Sequence, residues 1–406
     1  MRILFVHKQV LFPHDTGGKI RALNIVRHLA RWHELTYLCN LRPGEEPQAE
    51  AMRDLGLRLE AVPHQAAPRR SPRFFRDLSR NLISAEPFAV ARNYDPALRA
   101  RAAELAAGGQ FDLAICDTVQ MAKHLIGPFP AARVLFQHNV EARILGRHAA
   151  AASSLIMARY MELQWRRMCR FEASCGPHFD AVIAVSEPDL RAFRDDYGWD
   201  HVHAIETSVD LDYYTPAPAS LAVPGRVTFV GSMDWLPNED GVLHFAGKIW
   251  PAIRRKVPSA SFQVVGRHPP RSVARLSGTD AITILGGVPD VRPHLAEAEV
   301  VVVPLLVGGG TRLKIYEAMA MGKAVVSTSI GAEGLPVVPN EHLILADGPA
   351  DFAAAVAGLL ADPARRAALG GAACRFVAAH SGTEPIARDF DRICQLAVEA
   401  SGRRAS

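Results

Sequence analysis

The stretch Val300–Ser327, VVVVPLLVGGGTRLKIYEAMAMGKAVVS, gathers the residue types that hold an anionic ligand. The β-branched run Val300–Val303 suits a buried parallel strand. Gly308, Gly309 and Gly310 follow, and then Thr311 in an N-cap position. A helix that starts behind three glycines offers bare N–H groups and the positive end of its dipole to an anion. Arg312 and Lys314 add fixed charge there. Glu317, about one and a half turns into a helix that stops at Gly322, is an acceptor-only group suited to sugar hydroxyls. The set fits a ligand with a phosphate at one end and a ribose nearby. A βαβ crossover with a glycine turn and no ligand accounts for the same pattern, and a glycine triplet alone is weak evidence.

The segment from Glu317, EAMAMGKAVVST, closely resembles the most recognisable segment of the family four glycosyltransferases (glycosyl transferases group 1). These are retaining enzymes of the GT-B fold that use nucleotide sugars. Their pattern has two glutamates separated by seven residues. Glu317 matches the second, and Gly309 stands where the first would contact the donor sugar. A subgroup of bacterial polysaccharide transferases carries GGGTRLKI at this point, so the likeness runs to bacterial exopolysaccharide sugar transferases. The resemblance implies an α/β protein of two Rossmann-like domains facing across a cleft, with a C-terminal helix packing back on the first domain. It also implies a UDP- or GDP-sugar as donor substrate, with no further cofactor and no metal.

The bulk properties leave room for that reading. A chain of 406 residues exceeds one ordinary core and suggests two domains. Its apolar fraction of 49% is ample for burial, and 22% charged residues is ordinary for a soluble protein. A net charge of +4 is too small to point to nucleic acid. The six cysteines form no C-x-x-C pair and no zinc spacing, so a reducing cytoplasm is the simplest compartment. Three of them sit in apolar or helical runs and are expected to be buried. Met1-Arg2 runs straight into Ile3–Val6, so no signal peptide is expected, and no apolar run is long enough to span a membrane.

Short apolar runs alternate with helical patterns along the chain, which predicts parallel sheets flanked by helices. In the first half the strand candidates are Ile3–Val6, Leu35–Cys39, Leu57–Val62, Leu113–Cys116, Val134–Phe136 and Ala181–Val185. Glu141–Cys175 reads as one long helical stretch. Ser186 is a predicted N-cap, with Asp189 completing a capping box. Thr215-Pro216-Ala217-Pro218 is the best linker, because two prolines in four residues continue neither a helix nor a central strand. Strand candidates then restart at Val227–Val230, Phe262–Val265, Ile282–Leu285, Val300–Val303, Ala324–Ser327 and Leu343–Leu345, without detectable sequence repeat. Asn238–Trp250 and Pro385–Ala400 read as helices. The expected domains are 1–215 on the acceptor side, 216–384 for the nucleotide sugar, and 385–406 as the returning helix.

Further candidates lie after the strands. His7–Gly18 lacks the G-x-G-x-x-G that a dinucleotide-binding oxidoreductase would need. Gly17 and Gly18 instead give a permissive backbone at a helix start, and in similar transferases this loop touches donor phosphate and acceptor. A tight loop without a ligand is the alternative. Val134–Phe136 ends in Gln137-His138-Asn139-Val140-Glu141, and carboxyl ends of parallel strands are where α/β folds bind ligands. This segment resembles the family stretch where a histidine meets the donor sugar. His138 can donate a hydrogen bond to a sugar hydroxyl and stabilise charge at the anomeric carbon; Asn139 and Glu141 are neighbouring binding candidates. Glu141 also favours a helix N-terminus without any ligand. With Glu317, His138 completes the pair of catalytic candidates.

In the second half, Gly231-Ser232 follows a strand and lets a phosphate approach the backbone. Many family members place an arginine and a lysine just after this glycine. Neither is present, so Arg312, Lys314 and Arg267 must supply the charge. The turn Gly286–Asp290 resembles the family turn that reads the nucleotide base at the position of Val288; a purely structural turn is the alternative. Asp210-Leu211-Asp212 and Asp389-Phe390-Asp391 have the D-x-D spacing of metal sites in a different transferase fold, but neither follows a strand beside the donor candidates. The arginine-rich stretch Arg69–Arg80 contains Phe74, Phe75 and Leu78. It suits either an anionic membrane surface that presents a lipid-linked acceptor or a solvated helix with an apolar seam. The reading as a whole is a cytoplasmic, metal-independent, retaining glycosyltransferase acting on a glycan or lipid-linked acceptor, with peripheral contact to the plasma membrane and no nucleic-acid partner. Two other classes fit the same architecture: a nucleotide-sugar 2-epimerase and a non-catalytic nucleotide-sugar-binding protein.

Overall fold

The computed structural model describes residues 1–406 except 15, 66–70, 110, 128, 130, 153, 309–311 and 406, and the side chains of 151, 404 and 405. The chain divides into two units, Met1–Ile205 with Glu384–Ser406, and Glu206–Thr383. The division lies ahead of the proline-rich Thr215–Pro218 segment. That segment belongs to the second unit, where the Ala217 N–H donates to the Met321 carbonyl at 3.3 Å.

The first unit is built on a parallel sheet of strands β1 (Arg2–His7), β2 (Glu34–Leu41), β3 (Arg58–Pro63), β4 (Leu113–Asp117), β5 (Ala132–Gln137), β6 (Ala181–Ala184) and β7 (Val202–Ala204). Their order is β3-β2-β1-β4-β5-β6-β7. Ile3, Leu4, Phe5 and Val6 of β1 are all fully buried, as a strand covered by helices on both faces requires. The short β7 had no clear signature, because only Val202 of its three residues is buried. The expected single helix over Glu141–Cys175 is two, Glu141–Ala151 and Leu155–Cys175. The Ser186 hydroxyl caps the helix Glu187–Tyr197 by accepting from the Asp189 N–H at 3.2 Å, but it donates to the Asp189 carboxylate at 2.9 Å. The last helix, Thr383–Ala405, is longer than the apolar pattern suggested. It packs on this unit: Phe390 meets Phe136 edge-on at 5.0 Å between ring centres, and Asp391 lies 2.7 Å from His33 Nε2.

The second unit has strands β8 (Arg226–Val230), β9 (Ser261–Val265), β10 (Ile282–Gly286), β11 (Val300–Val303), β12 (Ala324–Ser327) and β13 (Ile344–Leu345). Their order is β10-β9-β8-β11-β12-β13, all parallel. In both units the chain winds outward from its first strand, returns to the other side with its fourth, and continues outward. Each sheet therefore reverses direction between its first and fourth strands, and ligands of open α/β sheets bind at the carboxyl side of that reversal. The expected helix Asn238–Trp250 begins at Leu236, passes through a π-helical turn at Phe245–Ile249 and continues from Trp250 to Lys256. All six cysteines are free thiols, and four of them (Cys39, Cys116, Cys175 and Cys394) are buried.

Candidate functional site

In the second unit the reversal lies between β8 and β11, and most of the charged candidates converge there. Gly231 follows β8, with its N–H donating to the Val265 carbonyl at the end of β9 (2.9 Å). A Cβ at Gly231 would meet Lys314 Nζ and the Asn238 amide, so any larger residue there would push these side chains aside. The Lys314 ammonium donates to Asn238 Oδ1 at 2.7 Å and lies 4.4 Å from the Phe229 ring centre. Asn238 in turn donates to the Ser232 carbonyl at 2.6 Å. Arg267, after β9, donates to the Ser232 hydroxyl at 3.0 Å and pairs with Asp234 at 3.0 Å. Arg312 is buried and lies 5.1 Å from the Trp235 ring centre. A Cβ at Gly308 would collide with the Arg312 guanidinium, which ties the start of the glycine loop to that side chain. Gly309, Gly310 and Thr311 lie outside the described residues.

Two sequence expectations change here. The helix after the loop is Leu313–Ala320, with Arg312 rather than Thr311 at the N-cap and no side-chain cap bond. Nor is the charge on Lys314 fixed. Burial, followed by the neighbouring Arg312, pulls its pKa down to about 7, against the pull of Glu317. Glu317 is itself buried, which raises its carboxyl above the usual range. A hydrogen bond from Tyr214 and the Lys314 charge work in the other direction. Tyr214 is held in its protonated form by burial and by the Glu317 charge. Val288 is half-buried in the turn after β10, whose Gly287 abuts the Cβ of Arg267, so it shares this edge of the sheet. The same turn ends in an Asp290–Arg292 pair at 2.7 Å, with Arg292 stacked 3.7 Å from the Tyr213 ring centre.

In the first unit the reversal lies between β1 and β4, and it holds histidines and a carboxylate, with Lys8 and the buried Arg21 close enough to act on Asp117. His7 ends β1, Asp117 ends β4 and His138 immediately follows β5. Adjacent strands thus place Asp117 between the two imidazoles. Asp117 Oδ1 lies 2.7 Å from His138 Nε2, and Oδ2 lies 3.5 Å from His7 Nε2. All three are buried. Burial alone would raise the Asp117 carboxyl, but His138, His7 and Lys8 together outweigh it and hold it below its ordinary value. Burial lowers His7 to about 4. Gly18, at the start of the helix Gly17–Trp32, abuts the same ring: a Cβ there would stand 3.4 Å from His138 Nδ1. Asn139 and Gln120 hydrogen-bond to Glu141, whose burial raises its carboxyl. Glu141 opens the helix Glu141–Ala151, and the buried Glu172 accepts from its N–H at 3.0 Å and from that of Ala142 at 3.2 Å.

Asp117, His7, Asn238, Tyr214 and Glu172 were not among the sequence candidates. Strand-end position could have flagged His7 and Asp117; nothing local marks the other three. Three of the four D-x-D carboxylates, Asp210, Asp389 and Asp391, are engaged elsewhere. Asp210 accepts from the N–H groups of Asp212 (3.2 Å) and Tyr213 (3.0 Å) in a turn. Asp389 pairs with Arg392 at 3.5 Å. No group of three metal-ligating side chains occurs among the described residues. Arg69 and Arg70 lie outside the described residues. The rest of that stretch forms the helix Pro72–Leu82, capped by Ser71. Its Phe74 packs inward on Phe88, while Phe75, Leu82 and Ile83 are exposed, Ile83 at 92%. No helix among the described residues is long and apolar enough to cross a membrane.

Residues 224–362, within the second unit, match the family model described as "Glycosyl transferases group 1". D-inositol 3-phosphate glycosyltransferase 2 of Catenulispora acidiphila is 30% identical over 217 residues, which are 47% of this chain and 50% of that protein. The chain thus spans about half the length of this curated relative. Solved structures align over almost the whole chain. Sucrose-phosphate synthase from Thermosynechococcus elongatus aligns with a TM-score of 0.72 at 19% identity, over 98% of this chain and 100% of that one. Anabaena Alr3699/HepE, solved in complex with UDP and glucose, aligns with a TM-score of 0.69 at 15% identity, over 97% and 98%. WaaG, a glycosyltransferase involved in lipopolysaccharide biosynthesis, gives 0.66 at 13% identity, over 95% and 98%. The fold is GT-B, and residues 224–362 carry the glycosyl transferases group 1 region.

Proposed function

We propose that this protein is a retaining, metal-independent glycosyltransferase of the hexosyltransferase type. It would move a sugar from a UDP- or GDP-sugar to a hydroxyl of a glycan or lipid-linked acceptor, in polysaccharide or cell-envelope synthesis. The observation that carries the reading is the cluster of Arg312, Lys314 and Glu317 at the sheet reversal of the second unit, inside the matched region. Two cations and a helix start suit a diphosphate. The buried carboxylate of Glu317 suits a pair of ribose hydroxyls. The donor class follows the structural relative solved with UDP and glucose.

In this reading the bond from the anomeric carbon to the phosphate oxygen breaks, and the electron pair leaves with the diphosphate. The acceptor oxygen attacks on the same face, and its proton passes to the departing phosphate. Arg312, Lys314 and Arg267 balance the charge on the leaving group. His138, with Gly18 and Asn139 beside it, serves the sugar. The exposed Phe75, Leu82 and Ile83, set among the arginines of the helix Pro72–Leu82, suit peripheral contact with an anionic cytoplasmic membrane face.

Incubation with a panel of UDP- and GDP-sugars tests the proposal. Nucleotide release coupled to sugar transfer or slow hydrolysis is expected. An epimerised sugar, or tight binding without turnover, would replace it with one of the other two classes. Activity should survive EDTA; complete loss restored by manganese would overturn the metal-free mechanism. Sedimentation with phosphatidylglycerol vesicles should weaken in Ile83→Asp.

A further inference from the structure

Two adjacent tyrosines of the second unit face different partners. Tyr214 is buried and hydrogen-bonds to the Glu317 carboxylate. Tyr213 packs edge-on against Tyr214, with 5.0 Å between ring centres, and its hydroxyl donates to Asp290 Oδ1 at 3.2 Å. We infer that Tyr214 is a positioning residue for the donor nucleotide: its hydroxyl aims the Glu317 carboxylate at the ribose hydroxyls, and Tyr213, held by Asp290 and Arg292, keeps Tyr214 in place. The ribose beside Glu317 belongs to the donor reading proposed above, on which this assignment rests.

Burial and the Glu317 charge both keep the Tyr214 hydroxyl protonated, so it is the donor of this bond. An ionised carboxylate only accepts, through about four lone-pair sites on its two oxygens. A bond from a buried donor occupies one site and removes the side chain's freedom to turn. The remaining sites then face one way, which suits two adjacent hydroxyls. A group already held in its binding geometry loses less freedom when the ligand arrives. The same bond works with the Lys314 charge against burial, which raises the Glu317 carboxyl. Tyr214 therefore favours both the orientation and the ionised, acceptor-only form that a ribose needs.

The tyrosines sit on a turn that is fixed at both ends. Asp210 accepts from the N–H groups of Asp212 and Tyr213, and the Tyr214 N–H donates to the Asp210 carbonyl at 2.8 Å. Tyr213 then ties this turn to the end of β10. The Arg292 guanidinium stacks 3.7 Å from the Tyr213 ring centre and donates to the Tyr213 carbonyl at 3.3 Å. It also forks onto Asp290, from Nε to Oδ1 at 3.1 Å and from Nη2 to Oδ2 at 2.7 Å. A planar guanidinium can stack and fork at once, which a lysine cannot. Asp290 and Arg292 are partly exposed, so their pairing contributes geometry more than stability. Asp290 ends the turn whose Gly287 abuts Arg267, a cation of the proposed diphosphate site. One short chain of contacts thus runs from the ribose carboxylate to the cationic side of the same site.

The test is calorimetry of the whole chain with UDP, GDP and their 2′-deoxy counterparts. The unaltered protein should prefer the ribose form by about tenfold or more, the size of one hydrogen bond to a charged acceptor. Tyr214→Phe removes only the hydroxyl. It should cut that preference severalfold by weakening the ribose form, with the deoxy form nearly unchanged. Tyr213→Leu and Arg292→Met should act in the same direction to a smaller degree. A packing role for Tyr214 would weaken both forms alike, so an unchanged ratio in Tyr214→Phe would overturn the inference whatever happened to the melting temperature. Glu317→Gln should abolish the preference, and adding Tyr214→Phe to it should then cost the ribose form nothing more; additive losses would also overturn it. A protein that binds nucleotide without preferring ribose would sink the inference and leave the donor reading standing. One that binds neither UDP nor GDP would sink both.

Discussion

Lys314 should take up a proton when a nucleoside diphosphate binds. Its pKa of about 7 in the free protein comes from burial and from Arg312. A diphosphate beside Nζ adds negative charge, which favours the ammonium form and raises that pKa. At pH 8 the free protein then carries the ammonium in about a tenth of its molecules and the complex in nearly all, so binding takes up roughly 0.9 proton. At pH 6 the uptake shrinks to about 0.1 proton, because the free side chain is already charged. The sign follows: affinity is greatest below pH 7 and falls by up to about tenfold per pH unit above it. Calorimetry of UDP and GDP at pH 8, in Tris and in phosphate, reads the uptake as a difference in heat between buffers of unlike ionisation enthalpy. At that pH the ligand's own phosphates are already ionised. Lys314→Met should bind more weakly and show no uptake. Tight binding with identical heats in both buffers, or unchanged uptake in Lys314→Met, would refute the assignment of Lys314 to the diphosphate.

Three further outcomes follow from the same geometry. Glu317→Gln keeps the shape but removes a charged acceptor, so nucleotide binding should weaken by about 1.5–3 kcal/mol with the fold intact; unchanged affinity by calorimetry would remove Glu317 from the site. His138→Ala should lower turnover by roughly two to three orders of magnitude with little change in nucleotide affinity, and normal turnover in a stable variant would exclude it from the chemistry. Glu172 is buried beneath the start of the helix Glu141–Ala151, and burial raises its carboxyl to about 8 despite the Tyr197 bond at 2.7 Å. A carboxyl whose pKa is raised in the folded state stabilises the fold fully below its unfolded value and loses that contribution as pH climbs through the folded one. The melting temperature of the wild type should therefore drop by a few degrees between pH 6 and 9, and by less in Glu172→Gln; equal drops would clear Glu172 of the effect.

The parallel sheets were legible because their strands are apolar on both faces. Val300–Val303 and Ile3–Val6 are continuous buried runs with no polar alternation to confuse them. β7 offered no such run, and the break near Ala152 was concealed because the alanines leading into it favour helix. The glycine loop and the charges after it could be read as an anion site from type and order alone. Their protonation could not. Burial and Arg312 weaken the charge on Lys314, and the Phe229 and Asn238 that touch its ammonium arrive from 85 and 76 residues away in the chain and carry no mark of the site they help to build.

Asp117 shows the same limit more sharply. In Ile115-Cys116-Asp117-Thr118-Val119 it is an ordinary acid after an apolar run. It gains a role only because the fourth strand inserts beside the first, an arrangement decided by the crossover and not by any neighbouring residue. The second unit repeats the same winding, so both sheets offer the same backbone address, and the side chains decide what each can hold. Arg267, Arg312 and Lys314 make the second address cationic, suited to binding an anion in the ground state. His7, Asp117 and His138 make the first a set of weak acids and bases, suited to hydroxyl groups whose protons shift during reaction. On that division of labour, substitutions at the second address should move affinity first, and substitutions at the first address should move turnover at nearly constant affinity.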